Sequence, residues 1–290
     1  MTENYHQILV QNVLSLVPNS NPIELNYVSQ EHRGWFAFAE IETKHFLTKI
    51  LKDDAVLLDV GANIGMYSAL FLQLSSQSQV YAFEPSSNFQ FLQKNIPGQL
   101  KSRFKAYKVA LGDINEMVVS EIWESYGHNK VKDRFQFLTL DKFCESEQLK
   151  KIDLVKIDTD GFETQILQGG GNTFSRLRPI LIIESEPNSD SGQSFQKIDA
   201  IMQNLDYLHL ATLDGNNELY VHQSDDRMQD VRRLIKRNIF VGRTFLGTLV
   251  TNPNLFQSKF RKSSICFKTR YLLIKIVSTT LIFLVFLRQY

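Results

Sequence analysis

The stretch from Val56 to Phe71 constrains the fold of this chain more than any other part of the sequence. It reads Val-Leu-Leu-Asp-Val-Gly-Ala-Asn-Ile-Gly-Met-Tyr-Ser-Ala-Leu-Phe. An apolar, β-favouring run leads to Asp59, two glycines follow, and an apolar pattern with helical spacing comes after them. This order predicts a strand, a tight turn and a helix. Gly61 and Gly65 allow the turn to take unusual dihedral angles and to approach a ligand closely.

The acid in this turn separates two kinds of nucleotide ligand. A nicotinamide dinucleotide places an anionic pyrophosphate over a turn with the spacing G-x-G-x-x-G. Here the spacing is Asp59-x-Gly61-x-Asn63-x-Gly65, which lacks the third glycine, and the carboxylate of Asp59 would repel a pyrophosphate. S-adenosylmethionine (SAM) carries a sulfonium and an ammonium, which carboxylates near the strand ends attract. These four residues are therefore predicted to bind SAM, in preference to a nicotinamide cofactor or a purely structural turn.

Two further acids follow the next predicted strands. Residues 79–83 predict a second strand, and Glu84 stands at its end, at the chain separation typical of an acid that binds ribose hydroxyls. Its alternative role is that of a solvated acid at a strand end. A third predicted strand, 104–109, leads to Asp113. Asp113 or a neighbouring backbone group is expected to accept a hydrogen bond from the adenine amino group, the alternative being a turn acid without a ligand.

A second cluster of charged residues lies between Lys156 and Glu163. Residues 152–163 predict a buried strand, a glycine-containing turn and the start of a helix. Lys156 and Asp158 fall on the same side of that strand because side chains alternate along it. Ligands of open α/β sheets bind at the carboxyl ends of the strands, near the point where the strand order reverses. Lys156, Asp158 and Glu163 are therefore candidate catalytic residues, and Asp158 is also a candidate cofactor-binding residue.

Taken in order, these motifs resemble those of the FkbM-type SAM-dependent methyltransferases. The matching pieces are Asp59-Val-Gly-Ala-Asn-Ile-Gly65, Phe83-Glu-Pro85, Ala110-Leu-Gly-Asp113, Thr139-Leu-Asp141, Val155-Lys-Ile-Asp-Thr-Asp-Gly-Phe-Glu163, Arg178-Pro179 and Glu184. They cover about Asp54 to Glu184, somewhat under half of the chain. The resemblance implies the class I methyltransferase fold and O-methylation of hydroxyls on sugars, glycolipids or secondary metabolites. Thr159-Asp160 departs from the family, which more often has a Val-Glu-like pair there.

The fold class expected from these patterns is α/β. We predict a doubly wound, mostly parallel, seven-stranded Rossmann-like sheet of the class I methyltransferase type. Strands at 207–212 and 219–222 would complete the sheet with an antiparallel edge. Two further β-like runs, 116–123 and 135–140, predict an added β-hairpin whose loop carries His128. A lone loop histidine of this kind is more often solvated than catalytic.

The expected activity is SAM-dependent methylation of a hydroxyl group. The alternatives are a SAM-binding adaptor without turnover and, third, a dehydrogenase. Methyl transfer to an alcohol requires the oxygen to be aligned behind the methyl group and its proton to be removed. The candidate bases are Asp158, Glu163 and, if burial lowers its pKa, Lys156. Asp158 and Asp160 without a histidine give weak ground for a divalent cation, so no metal site is assigned.

Composition limits the partners and the compartment. The net charge is +1, from 32 basic and 31 acidic residues, so the chain lacks the field of a general nucleic-acid binder. The expected acceptor is a small molecule, a glycan or a lipid-linked molecule. Cys144 and Cys266 fit no metal spacing and indicate free thiols in a reducing compartment. The polar start Met1–Tyr5 does not resemble a signal peptide, which favours a cytoplasmic protein.

Four regions are expected along the chain. They are an N-terminal helical cap (1–53, with helices at 5–17 and 35–51), a SAM-binding methyltransferase domain (54–225), a basic helical extension (226–270) and an apolar tail (271–290). The run 271–287 is near the lower length limit for a membrane span, and basic residues before it would keep the rest of the chain on the cytoplasmic side. Membrane association through 271–287 is expected, the alternative being a helix packed on the domain or on a dimer partner.

Overall fold

Strands and helices alternate through most of the part of the chain that the structure describes. In this computed structural model the described residues are 6–9, 24–28, 40–125, 129–185 and 194–236. The described strands are β1 (His6–Leu9), β2 (Glu24–Val28), β3 (Val56–Val60), β4 (Gln79–Phe83), β5 (Phe104–Tyr107), β6 (Ala110–Gly112), β7 (Met117–Ser125), β8 (Asn129–Thr139), β9 (Leu154–Ile157), β10 (Ile180–Glu184), β11 (Tyr207–Leu213) and β12 (Asn217–His222). The described helices are α1 (Ile41–Ile50), α2 (Met66–Leu74), α3 (Phe89–Asn95), α4 (Leu140–Ser146), α5 (Glu163–Gly169), α6 (Gly171–Leu177) and α7 (Phe195–Asn204), with a 3₁₀ helix at Gly98–Arg103.

Seven of these strands form one mostly parallel sheet in the order β11-β12-β10-β9-β3-β4-β5. The pairs from β10 to β5 are parallel, and β12 is antiparallel to both of its neighbours. The predicted seven-stranded sheet is confirmed, and β3 and β9 lie side by side where the order reverses. The expected antiparallel edge is confirmed, with β12 paired to β10 and β11 outermost. All residues of β12 are buried, whereas most residues of β11 are partly or fully accessible. This difference is typical of an inner strand and an edge strand.

Helices cover both faces of the sheet. Leu58, Val155 and Leu181 pack into a core cluster with side chains of α4 to α7, among them Phe143 and Phe174. Side chains alternate along a strand, so the next residues on β3 and β9 belong to the opposite face. On that face Leu92 of α3 packs against Ala82 of β4. The hydroxyl of Ser68 on α2 donates a hydrogen bond to Asp59 of β3. The arrangement is the doubly wound one predicted for the chain.

A second, three-stranded sheet stands apart from the main one. β7 pairs with β8 in antiparallel fashion from Met117↔Gln136 to Ser125↔Asn129, and β8 also pairs with β6 in parallel. The two β-like runs therefore extend a separate sheet, in the order β6-β8-β7, and not the main sheet. A Cβ on Gly169 would overlap the backbone carbonyl oxygen of Gly112, so β6 is held close against α5 and away from β5. His128 lies outside the described residues.

The N-terminal prediction is wrong where the structure can test it. His6–Leu9 form β1, which pairs in antiparallel fashion with β2, although a helix was expected over 5–17. Long-range pairing overrides local helical periodicity in so short an apolar run. The second predicted helix corresponds to α1, which begins at Ile41, and residues 29–39 lie outside the described part.

The C-terminal predictions fall mostly beyond the described residues. The described part ends at Lys236, and residues 228–236 are helical. The apolar run 271–287 and most of the basic extension therefore stay untested. Among the described helices, none combines the length and the apolar character that a membrane crossing needs. Cys144 is buried and free, as predicted.

Candidate active site

Three residues with positive φ shape the turn between β3 and α2. Gly61 has φ 80°, Asn63 has φ 50° and Gly65 has φ 90°. A Cβ on Gly61 would overlap the backbone carbonyl oxygen of Asp158, and a Cβ on Gly65 would lie 2.7 Å from Cδ1 of Leu92. The sequence suggested that these two glycines leave room for a ligand. The atoms closest to an added Cβ at either glycine belong to the protein. Both positions require glycine because the turn packs tightly against the end of β9 and against α3.

Glu84 lies directly beside this turn. One oxygen of its carboxylate accepts the backbone N–H of Asn63 at 2.8 Å, and the other accepts that of Ser86 at 2.8 Å. Asn88 Nδ2 donates to Asn63 Oδ1 at 2.9 Å. The structure therefore brings two predicted cofactor-binding residues, Asn63 and Glu84, into contact at the ends of β3 and β4. These contacts fix the orientation of the Glu84 carboxylate beside the turn, and its binding of ribose hydroxyls stays a prediction.

Asp59 lies beneath the turn. Its side chain is 2% exposed and accepts a hydrogen bond of 2.6 Å from Ser68 Oγ of α2. Burial raises the pKa of Asp59 to about 6, although the hydrogen bond and the charge of Lys156 oppose this shift. Asp59 pairs in register with Lys156 on β9. Its position supports the turn from within the fold, and a direct contact with a ligand would require neighbouring groups to move.

Lys156 is a buried cation held between carboxylates. Its Nζ is 2.7 Å from Asp158 Oδ2 and 3.7 Å from Glu40 Oε1, and it lies 4.7 Å from the ring centroid of Tyr67. Burial lowers its pKa, but the charges of Asp158 and Glu40 outweigh burial and raise the pKa above its ordinary value. This direction of the pKa disfavours a neutral Lys156, and its role as a base stays a prediction. Lys156 acts as a permanent positive charge next to Asp158.

Asp158 is the accessible acid of the cluster, with 32% of its side chain exposed. Burial opposes its ionisation, but attraction to Lys156 and hydrogen bonds from Glu184 and Lys156 outweigh burial and lower the pKa of Asp158. Repulsion by Asp158, followed by burial, raises the pKa of Glu184 on the adjacent strand β10. Asn216 Nδ2 also donates to Glu184 Oε1 at 2.8 Å. At neutral pH Glu184 is therefore the protonated partner and Asp158 the ionised one.

Glu163 closes the loop that follows β9. Its carboxylate accepts Thr159 N at 2.9 Å, Thr159 Oγ1 at 2.7 Å and Gly161 N at 3.1 Å. Its side chain is fully buried, and burial raises its pKa to about 7. These contacts assign Glu163 to the shape of the loop that presents Asp158. The predicted catalytic role of Glu163 stays a prediction.

Two other motif acids have different surroundings. Asp113 is exposed and follows β6, which belongs to the three-stranded sheet, so its adenine contact stays a prediction. Asp141 accepts the backbone N–H groups of Asn172 and Thr173 at 3.2 and 2.7 Å. Asp141 thus caps the start of α6 and has a structural role.

The buried carboxyl of Glu163 predicts a pH-dependent contribution to stability. The folded state keeps this proton up to about pH 7, whereas the unfolded chain loses it near its ordinary pKa of 4.5. The protonated carboxyl of Glu163 therefore contributes to the free energy of unfolding at low pH. This contribution, up to about 3 kcal/mol, is lost as the pH rises from about 4.5 to about 7. We expect Glu163→Gln to lose less free energy of unfolding than wild type between pH 4.5 and 7.5 in urea titrations. The exposed Glu145→Gln serves as control, and equal pH slopes for Glu163→Gln and wild type would contradict the assignment.

The sheet order, the glycine turn after β3 and the acid at the end of β4 define an α/β protein of the class I methyltransferase type. The family model described as Methyltransferase FkbM domain matches residues 59–208, about half of the chain. The protein therefore belongs to the FkbM methyltransferase family. The match contains every predicted site residue, including Asp59, Glu84, Asp113, Asp158 and Glu163.

Similar proteins include two named methyltransferases. The 2-O-methyltransferase NoeI of Sinorhizobium fredii is 26% identical over 176 residues, which are 52% of this chain and 71% of NoeI. The hexuronic acid methyltransferase AglP of Haloferax volcanii is 28% identical over 151 residues, which are 49% of this chain and 61% of AglP. The match thus covers less than two thirds of AglP. The crystal structure of methyltransferase FkbM from Methylobacillus flagellatus is 20% identical, with a TM-score of 0.43 over 60% of this chain and 45% of that chain.

The sequence missed two groups of the site, Glu40 and Tyr67. Glu184 was expected at an acidic strand end, 184–188, that faces the substrate, but its proton depends on Asp158 of another segment. Glu40 and Tyr67 reach Lys156 from α1 and α2, and no motif or spacing links them to it. An acid just before an amphipathic helix is too common a pattern to identify such a contact.

Proposed function

We propose that the protein is a SAM-dependent O-methyltransferase that acts on a hydroxyl of a sugar, a glycolipid or a related secondary metabolite. The observation that carries this proposal is the accessible, ionised Asp158 held against the buried charge of Lys156 at 2.7 Å. This pair lies at the end of β9, next to the glycine turn of β3. Membership of the FkbM methyltransferase family supports the reaction class. The names of NoeI and AglP support a sugar hydroxyl as the acceptor.

The residues at the strand ends fit SAM. Glu84 would accept hydrogen bonds from the ribose hydroxyls, and the backbone of the Gly61–Gly65 turn would line the nucleoside. Asp158 offers a negative charge that attracts the sulfonium and the ammonium of SAM. The same charges, with the buried acid Asp59 below the turn, disfavour a pyrophosphate. When bound, SAM supplies a methyl group attached to a positively charged sulfur.

Asp158 is the group best placed to orient the acceptor. Its carboxylate would accept the hydrogen bond of the acceptor hydroxyl and hold the oxygen in line with the methyl group. As the bond between the acceptor oxygen and the methyl carbon forms, the bond between that carbon and the sulfur of SAM would break and the demethylated cofactor would leave, while Asp158 would take the hydroxyl proton and pass it to water. Alignment contributes several kcal/mol and a positioned base contributes roughly 10²- to 10⁴-fold. Lys156 keeps Asp158 ionised, and the protonated Glu184 donates a hydrogen bond to the carboxylate of Asp158.

Cofactor binding is tested by calorimetry with SAM, its demethylated product and NAD. We expect binding of both SAM species and none of NAD. Glu84→Ala should weaken SAM binding by about 1–3 kcal/mol, the cost of removing hydrogen bonds to a charged acceptor. Glu145, which is exposed on α4, gives the control variant Glu145→Ala. Binding of NAD without a response to either SAM species would refute the proposal.

The reaction itself is tested with SAM labelled in its methyl group. Purified protein is incubated with hexuronic acids, oligosaccharides and extracts of glycans and lipids, and label transfer to each fraction is measured. Transfer to a hydroxyl-bearing sugar fraction is the expected result. SAM binding without transfer to any acceptor would favour the alternative of a SAM-binding adaptor.

A further inference from the structure

Glu40 reaches the site from outside the segment matched by the family. The family match begins at residue 59, whereas Glu40 immediately precedes α1. Its Oε1 lies 3.7 Å from Lys156 Nζ and accepts Asn217 Nδ2 at 3.0 Å. Its Oε2 accepts the hydroxyl of Tyr67 at 3.0 Å. One carboxylate thus joins the segment before α1 to three groups from α2, β9 and β12.

The backbone around Glu40 is held in an uncommon conformation. Glu40 has φ 54°, a left-handed conformation that costs a non-glycine residue free energy and persists only where its surroundings enforce it. Two backbone N–H groups in the first turn of α1, those of Glu42 and Thr43, donate to the carboxylate of Asp214 at 2.9 and 2.8 Å. Asp214 lies in the turn between β11 and β12. The hairpin therefore anchors the start of α1, and α1 directs Glu40 toward Lys156.

The groups that face Lys156 come from every neighbouring element. Asp158, directly after the end of β9, and Glu40 are the two carboxylates within 4 Å of its Nζ among the described residues. The charges of Asp59 on β3 and Lys44 on α1 also act on this network, and Glu184 on β10 is its protonated member. The ring of Tyr67 covers the ammonium. With Glu40 neutral, the ammonium would keep its hydrogen bond to Asp158 but would lose the second of the two carboxylates that restrain it.

We infer that Glu40 is a positioning residue of the methyl-transfer site, which holds Lys156 so that Asp158 keeps its orientation toward the acceptor. This inference rests on the proposed function for its catalytic consequence. Its structural part, the restraint of Lys156 by Glu40, stands on the contacts alone. The segment that the family model matches, 59–208, then lacks two residues of the site. Glu40 precedes this segment in the sequence and Asn217 follows it.

The restraint of Lys156 is measured as the rate at which deuterium replaces its ammonium protons, followed by NMR of the full chain with ¹⁵N-labelled lysine. Exchange requires water to reach the buried ammonium, so this labelling rate rises when Lys156 is held less tightly. We expect Glu40→Gln to increase the labelling rate of Lys156 by about tenfold, because it removes a negative charge beside the ammonium while keeping the side-chain shape. Glu145→Gln should leave the rate unchanged. An unchanged rate in folded Glu40→Gln overturns the inference.

Folding is monitored by thermal unfolding of each variant. If Glu40→Gln does not fold, Tyr67→Phe replaces it, since this variant removes the hydroxyl that holds Glu40 Oε2 and keeps the ring over Lys156. A smaller increase in the labelling rate of Lys156 is then expected. No increase in folded Tyr67→Phe overturns the inference.

The catalytic consequence is measured with the acceptor found by label transfer. We expect Glu40→Gln to lower kcat by about tenfold or more, because small misplacements of reacting groups are costly, while the Kd for SAM changes less than about threefold. An equal loss of kcat and SAM affinity would make Glu40 a cofactor-binding residue and overturn the inference. If wild type neither binds SAM nor transfers methyl groups, the proposed function fails, whereas the labelling of Lys156 still tests the restraint by Glu40.

Discussion

Asp158→Asn is expected to lower kcat for methyl transfer by about 10²- to 10⁴-fold, the contribution of a positioned base. Asparagine has nearly the same shape and can still accept a hydrogen bond from Lys156, so the fold should survive. It cannot take the hydroxyl proton, and it carries no charge to orient the acceptor. The Kd for SAM should change far less than kcat, because a group used mainly in the transition state affects turnover more than binding.

Asp160→Asn is the matched control for this experiment. Asp160 lies two residues further along the same loop, is exposed and has φ 54°, a conformation that asparagine tolerates well. Its kcat should stay within a few fold of the wild-type value. If Asp158→Asn lowers kcat and SAM affinity equally, Asp158 serves cofactor binding alone. If both variants keep full activity, the base must lie elsewhere.

Gly61→Ala is expected to destabilise the protein by about 2–4 kcal/mol and to abolish SAM binding. The backbone of Gly61 has φ 80°, and an added Cβ would overlap the carbonyl oxygen of Asp158. Relief of this overlap would separate the end of β3 from the end of β9. The separation would displace Asn63 from Glu84 and the turn from Asp158, so cofactor and acceptor contacts would be lost together.

Urea unfolding and calorimetry with SAM measure the two effects. Gly98→Ala is the control, because Gly98 begins the 3₁₀ helix and a Cβ there would meet no atom within 4 Å. Its free energy of unfolding should change by less than about 1 kcal/mol. A Gly61→Ala protein that unfolds at the wild-type urea concentration and binds SAM normally would contradict the described packing of the turn.

Much of the fold follows from local pattern. The apolar runs ending at Asp59 and Glu84 predicted strands whose observed bounds are Val56–Val60 and Gln79–Phe83. The alternation along β9 placed Lys156 and Asp158 on one side, and their hydrogen bond confirms this. Such predictions succeed because periodicity and turn residues act over a few neighbouring positions. The same local reasoning failed at His6–Leu9, where pairing with a distant strand decided the structure.

The sequence by itself determined the strand–turn–helix unit, the family and the set of acids at the strand ends, because these depend on residue type and short spacing. Only the tertiary structure decided what those acids do. Asp59 lies buried beneath the glycine turn and accepts a hydrogen bond from Ser68. Glu163 holds the loop after β9 through hydrogen bonds with Thr159 and Gly161. Glu184 is the protonated partner of Asp158, and Lys156 is the cation beside it. Protonation depends on burial and on charges that approach from other strands and helices. Glu40 reaches Lys156 across 116 positions of the chain, and only folding creates such a contact.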